Sequence, residues 1–178
     1  MKQSYTLTIF LLFSCCCLRG LGQDTVHLKK DRYAAPVTVT DRAPQAVYAE
    51  LWGKGLIFSV NYDRRFSKRL DGLGFSVGAG YLKVDGVGLF SLPVGLNYLL
   101  GKNGKYLELG AGASYFSATI SDIDNASDHG STVIGTMTIG YRSQPVNGGF
   151  MFRAGLNPII FKNNFIPYWP YISFGYNF

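Results

Sequence analysis

From Ala46 to Phe178 the chain alternates apolar residues with small polar ones, and Gly, Asn, Asp and Lys break the alternation at intervals. A period of two means strands with unlike faces. Eight segments emerge: Ala46 to Trp52, Leu56 to Arg64, Leu73 to Lys83, Leu89 to Leu100, Lys105 to Thr119, Thr132 to Arg142, Phe150 to Phe161, and Phe165 to Phe178. No heptads or helical stripes accompany them. Gly53-Lys54-Gly55, Val84-Asp85-Gly86, Lys102-Asn103-Gly104 and Gln144 to Gly149 are short connections suited to antiparallel hairpins. The one long connection expected is Ile120 to Ser131.

Splitting each segment by parity gives one face without a charge. It carries Val47, Ala49 and Leu51, then Leu56, Phe58, Val60 and Tyr62, and continues through Phe75, Leu92, Leu109, Val133 and Phe152 to the even residues Tyr168 to Phe178. The opposite face carries Gly, Ser, Thr and Asn with Glu50, Asp63, Glu108, Arg142 and Arg153. A soluble sheet would bury the apolar face and set Lys and Glu on the exposed one. Here the charged side is the one with small residues, which suits a narrow lumen, and lipid takes the outer side. The pattern predicts an eight-stranded antiparallel up-and-down transmembrane β-barrel.

Aromatic placement supports the same topology. With both termini periplasmic, Tyr81, Phe90, Tyr115 and Tyr168 collect at the outer interface, and Tyr62, Phe75, Tyr98, Tyr141, Phe150, Tyr176 and Phe178 at the inner one. An eight-residue step such as Tyr168 to Tyr176 spans roughly 20 Å at about 3.3 Å per residue and about 40° of tilt, close to the expected lipid band. Pro93, Pro158, Pro167 and Pro170 lie within the segments and remove ladder donors. All four fall in the outer half, where bulges or frayed pairing are expected.

Residues 1–22 read as a cleaved export signal, with Lys2, the apolar run Leu7 to Phe13 and small residues before Gln23. That run is too short to span a membrane. All three cysteines sit inside the signal, so disulfides and thiolate metal sites are excluded from the mature chain. Leu12-Phe13-Ser14-Cys15 is a lipobox-like alternative that leaves lipoprotein processing at Cys15 open. Residues 23–45 form a polar extension with Pro36 and Pro44, and 46–178 the barrel domain. The net charge of +6 is mild and unclustered apart from Arg64, Arg65, Lys68 and Arg69, which are placed in a turn. No nucleic-acid footprint results.

The signal, the eight segments, the stretch Leu56 to Phe66 and the terminal Tyr176-Asn177-Phe178 together resemble the small OmpA/OmpX-like outer-membrane barrels. The resemblance implies residence in a Gram-negative outer membrane among its lipid and lipopolysaccharide. It also implies that Tyr176 and Phe178 are the assembly signal read by the barrel-assembly machinery. It names no single activity.

Candidate chemistry is sparse. Glu50, Asp63, Glu108, Arg142 and Arg153 read as a charge network filling the lumen, or else as the lining of a constricted pore. Asp122, Asp124, Asn125, Asp128 and His129 offer oxygen and imidazole ligands in the long connection, without the Gly and distal Glu of an ordered calcium loop. His129 with Ser127 or Ser131 is no triad by adjacency alone, and His27 has no evident partner. The expectation is a barrel without cofactor, metal or catalytic residues, in a structural or surface-contact role. The alternatives are a narrow pore or small-molecule transport barrel, a lipid A-modifying enzyme, and a soluble lipocalin-like carrier.

Overall fold

The computed structural model describes residues 42–84, 86–121 and 127–178, giving only the backbone path at 120–121 and 127–128. The export signal, His27, most of the polar extension, and Asp122, Asp124 and Asn125 lie outside the described residues. The strands are β1 (Gln45–Leu51), β2 (Phe58–Arg65), β3 (Gly72–Val84), β4 (Val87–Lys102), β5 (Lys105–Ser121), β6 (Ser127–Ser143), β7 (Gly149–Leu156), β8 (Ile159–Ile160), β9 (Phe165–Ile166) and β10 (Pro170–Asn177). Sequential neighbours pair antiparallel from β1 to β6, β7 lies between β6 and β10, and β10 pairs with β1. The sheet is closed. Since β8 continues the line of β7 and β9 leads into β10, the wall has eight strands.

Closure is sealed where the two ends of the barrel meet, by Gln45 N donating to Phe178 O (3.1 Å) and Phe178 N donating to Gln45 O (2.9 Å). We call this the terminal end and the opposite one the far end. At the terminal end Asn103 (φ 56°) and Gly104 (φ 79°) form the two-residue turn between Lys102 and Lys105. Positive φ at both positions matches the twist of the flanking strands. The sequence expectation of Asn-Gly hairpin chemistry holds there.

The prolines act in three different ways. On β4, Pro93 stays paired with Ser114 of β5, while the β3–β4 ladder steps from Val77–Val94 directly to Gly80–Ser91. The missing donor opens a local gap without a slip. At Pro158 the strand also keeps register, since β6 pairs Ile139 with Leu156 before the proline and Thr136 with Ile159 after it. Its carbonyl still accepts from Met137 N at 2.9 Å. Only Pro167 to Pro170 forms a bulge: Leu156 pairs with Pro170 and Ile159 with Ile166, so one strand carries an extra residue there.

Three element assignments change. The long connection is shorter than expected because β5 and β6 continue to Ser121 and from Ser127, pairing Thr119 with His129. Leu56, expected on the lipid face of a strand, lies in the β1–β2 connection with φ 66° and packs inward. Arg65 is no turn residue. It extends β2 by one position and, two residues after Asp63, shares its inward face.

Facing outward is a belt of exposed apolar side chains, among them Val60, Val77, Leu96, Leu107, Val133, Ile139 and Phe174. A contiguous apolar surface of this kind is what a bilayer covers. Facing inward, large side chains meet glycines across the ladder: Tyr48 opposite Gly175, Tyr171 opposite Gly155, and Arg65 opposite Gly74. A Cβ on Gly155 would lie 3.0 Å from Tyr171 Cε1 and closer still to the Ile139 carbonyl. Gly155→Val should therefore cost about 1–3 kcal/mol by overpacking. Urea unfolding in micelles would show a lower midpoint for this variant than for Gly130→Val, whose added Cβ meets nothing within 4 Å.

Candidate functional site

The barrel interior is layered. At the terminal end Leu70, Leu99 and Tyr106 form a buried apolar cluster with Val146 against it, and Ala46, Tyr48 and Met151 form another. At the far end Phe116, Ile134 and Ile159 are buried, with Leu56, Leu89, Ile166 and Trp169 packed on them. Between these lie the charges.

Glu50 (β1), Asp63 (β2), Glu108 (β5), Arg142 (β6) and Arg153 (β7) are each 0–1% exposed and converge from five strands. Arg153 is the hub. Its Nε donates to Glu108 Oε2 and one Nη to Glu108 Oε1, both at 2.8 Å, while the other Nη donates to Glu50 Oε2 at 3.1 Å. Two parallel bonds to one carboxylate are the strongest geometry open to a guanidinium. Ser173 Oγ donates to the same Glu50 oxygen at 3.1 Å. The Arg153 guanidinium also lies over the Tyr48 ring at 4.2 Å and the Tyr171 ring at 5.2 Å from their centroids.

A second cluster surrounds Asp63. Arg65 donates to Asp63 Oδ1 at 2.8 Å and Oδ2 at 2.9 Å, and Arg142 donates to Oδ1 at 3.0 Å. Asn97 of β4 adds Nδ2 to Oδ2 at 2.6 Å and accepts from Arg65. Arg142 also donates to Gln144 Oε1 at 2.8 Å and lies 3.8 Å from Glu108 Oε2, which joins the two clusters. Glu108 and Arg142, on neighbouring strands, form the longest of these links, because Asp63 and Arg153 reach those groups first.

Lys54 completes the set from an unexpected place. The β1–β2 connection turns into the mouth, so that Lys54 N donates to Glu50 Oε1 at 2.8 Å and Lys54 Nζ to Ser76 Oγ at 3.2 Å. Gly53 permits this, since a side chain there would collide with Glu50. Among the described residues the interior then holds three carboxylates, three guanidiniums and the Lys54 amine. Every carboxylate has at least two charged or hydroxyl donors, which is what makes burial of the charges tolerable.

Sequence reading placed Asn97 on the inward face but missed Tyr48, Lys54, Arg65, Gln144 and Tyr171 as parts of this interior. Tyr48 was findable, since it lies two residues before Glu50 on the same face. Lys54 was not, because connections carry no face. Tyr176 and Phe178 are 60% and 62% exposed at the terminal end, on the outer face. His129 is exposed, its Nδ1 3.1 Å from Thr119 Oγ1. Ser131 is exposed two register pairs nearer the terminal end, opposite Ser117. Among the described residues no group of three or more metal-ligating side chains comes together.

Arg153→Met leaves Glu50 and Glu108 buried beside a hydrocarbon, and unfolding in urea should show a loss of about 3–5 kcal/mol. Combining it with Glu50→Gln and Glu108→Gln should recover most of that loss. If the triple variant were no more stable than Arg153→Met, charge pairing would not be the source of the effect.

No protein-family model and no curated protein matches the sequence. Among solved structures, the chain is similar to the N-terminal β-barrel domain of Pseudomonas aeruginosa OprF, at 12% identity over 79% of this chain and 99% of that domain, with a TM-score of 0.57. It also aligns with Neisserial surface protein A (17% identity, 76% of this chain and 91% of that one, TM-score 0.43). A further match is Ail, the attachment invasion locus protein of Yersinia pestis (16% identity, 76% and 97%, TM-score 0.42), crystallised with the heparin analogue sucrose octasulfate. The chain has the fold of the OprF N-terminal barrel: all-β, eight strands, antiparallel and closed.

Proposed function

We propose that this protein is a Gram-negative outer-membrane barrel of structural or surface-contact role, non-enzymatic, whose lumen is filled by its own side chains. The observation that carries this reading is the Arg153 hub, which holds two carboxylates from opposite parts of the wall with no water-sized separation between donors and acceptors. The apolar clusters on either side of the charges support it, since an ion or small solute would have to cross both. A pore needs a continuous polar path. An eight-stranded wall encloses space for little more than side chains.

The exposed apolar belt supports a position in the bilayer, with outer-membrane lipid and lipopolysaccharide as its surroundings. Exposed Tyr176 and Phe178 at the closing strand are the residues offered to the assembly machinery. The side-chain contact described for exposed His129 is Nδ1 to Thr119 Oγ1 at 3.1 Å, which does not by itself make a triad for a lipid-modifying enzyme.

Planar-bilayer recording and liposome swelling should show no conductance above background for the wild type. Arg153→Ala combined with Glu108→Ala and Glu50→Ala, if it folds, should open a measurable conductance by emptying the middle layer. Wild-type channels with defined unit conductance would overturn the filled-lumen reading. Boiling should shift gel mobility as a folded barrel requires, and fractionation should place the chain with the outer membrane.

A further inference from the structure

Above the far-end cluster the barrel interior does not close. A cavity of about 360 Å³ sits there, with Phe116 and Ile134 as its floor, Leu56 and Leu89 on two sides, and Ala118 and Phe161 toward the opening. Its volume falls in the range of small-molecule sites, which are concave and mostly apolar with a few polar groups. Among the described residues, Ser131 and Thr132 are the hydroxyls that line it, and no charged side chain does.

Three features separate this cavity from an ordinary apolar surface. The strand residues lining it, apart from Ser131, have the inward parity, so bilayer hydrocarbon on the outer face does not reach it. Its lining reaches Phe161, which follows β8 beyond the end of the β6–β8 pairing. Leu56 is set against the floor by a backbone at φ 66°, a conformation that a branched side chain adopts only when the surroundings impose it. Stored strain of this kind is characteristic of ligand clamps. An apolar recess of this volume accommodates an apolar guest.

We propose that this recess binds the hydrocarbon chain of a free single-chain amphiphile, such as a fatty acid, entering from the far side and not from the bilayer. The size limits the guest to one chain. The uncharged lining places any polar head outside, beyond Ser131 and Thr132. The inference is independent of whether the middle layer conducts.

The protein carries its own reporter, since Trp52 and Trp169 are its only tryptophans and Trp169 packs on the cluster that forms the cavity floor. Trp52→Phe isolates it. In phosphatidylcholine vesicles, a medium-chain fatty acid brominated at its terminus should quench Trp169 saturably. Gly130→Phe fills the recess without backbone collision, because nothing lies within 4 Å of a Cβ at Gly130. In that background the saturable component should disappear, with folding checked by heat-modifiable migration. Ala118→Phe serves the same purpose if Gly130→Phe does not fold. Quenching that is non-saturable, or equal in the filled and open variants, would overturn the proposal. So would a difference between those variants seen only with brominated phosphatidylcholine, because the chain would then come from the bilayer.

Discussion

A barrel of eight strands encloses so little volume that every charge on its inner face must be answered by another side chain within a few ångströms. That constraint explains why Arg153 is both heavily bonded and among the most buried groups. Its guanidinium satisfies Glu108 with two bonds, Glu50 with one, and covers its faces with Tyr48 and Tyr171. A lysine could not do this, because a point ammonium lacks the planar fork and the flat face. The position of Glu50 in turn sets the β1–β2 connection, which folds inward to bring Lys54 N onto the remaining oxygen.

The same scarcity of space decides where glycine occurs. Tyr48, Tyr171 and Arg65 each face a glycine across the ladder, so that each large group is matched by a missing one. The inner face is therefore small on average while containing side chains as large as arginine and tyrosine. On the outer face no such matching is needed, because lipid chains conform to any profile. Branched and aromatic residues occupy it without size pairing.

Inward charge was legible because it violated the expectation for a lipid-facing side. Glu50, Asp63, Glu108, Arg142 and Arg153 share a parity that can be read along each strand without knowing its neighbours. Inward apolar residues were legible only through the parity of a charged residue on the same strand, as for Tyr48 beside Glu50, since Phe116 and Ile134 by themselves look the same in sequence whether they face lipid or the lumen. Arg65 was hidden for a different reason. It adjoins Arg64, Lys68 and Arg69, and a run of cations suggests a solvated turn until the strand is seen to extend one residue further. Prolines revealed where pairing is interrupted but not how. Pro158 and the Pro167 to Pro170 stretch differ by one residue of register, which only the partner strand defines.

The alternation along each segment was sufficient by itself to determine strand identity, strand number, the lipid face and the five inward charges, because side-chain direction in a strand is a local property of the backbone. Pairings among those charges depended on tertiary structure. Arg153 meets Glu108 and Glu50 across 45 and 103 residues of chain, while Arg142 turns to Asp63 across 79. Such partners are chosen by shear and closure of the sheet, which bring distant strands to a common height. The inward fold of Lys54 and the apolar recess above Phe116 arise in the same way, from how eight strands of unequal length end around a shared interior.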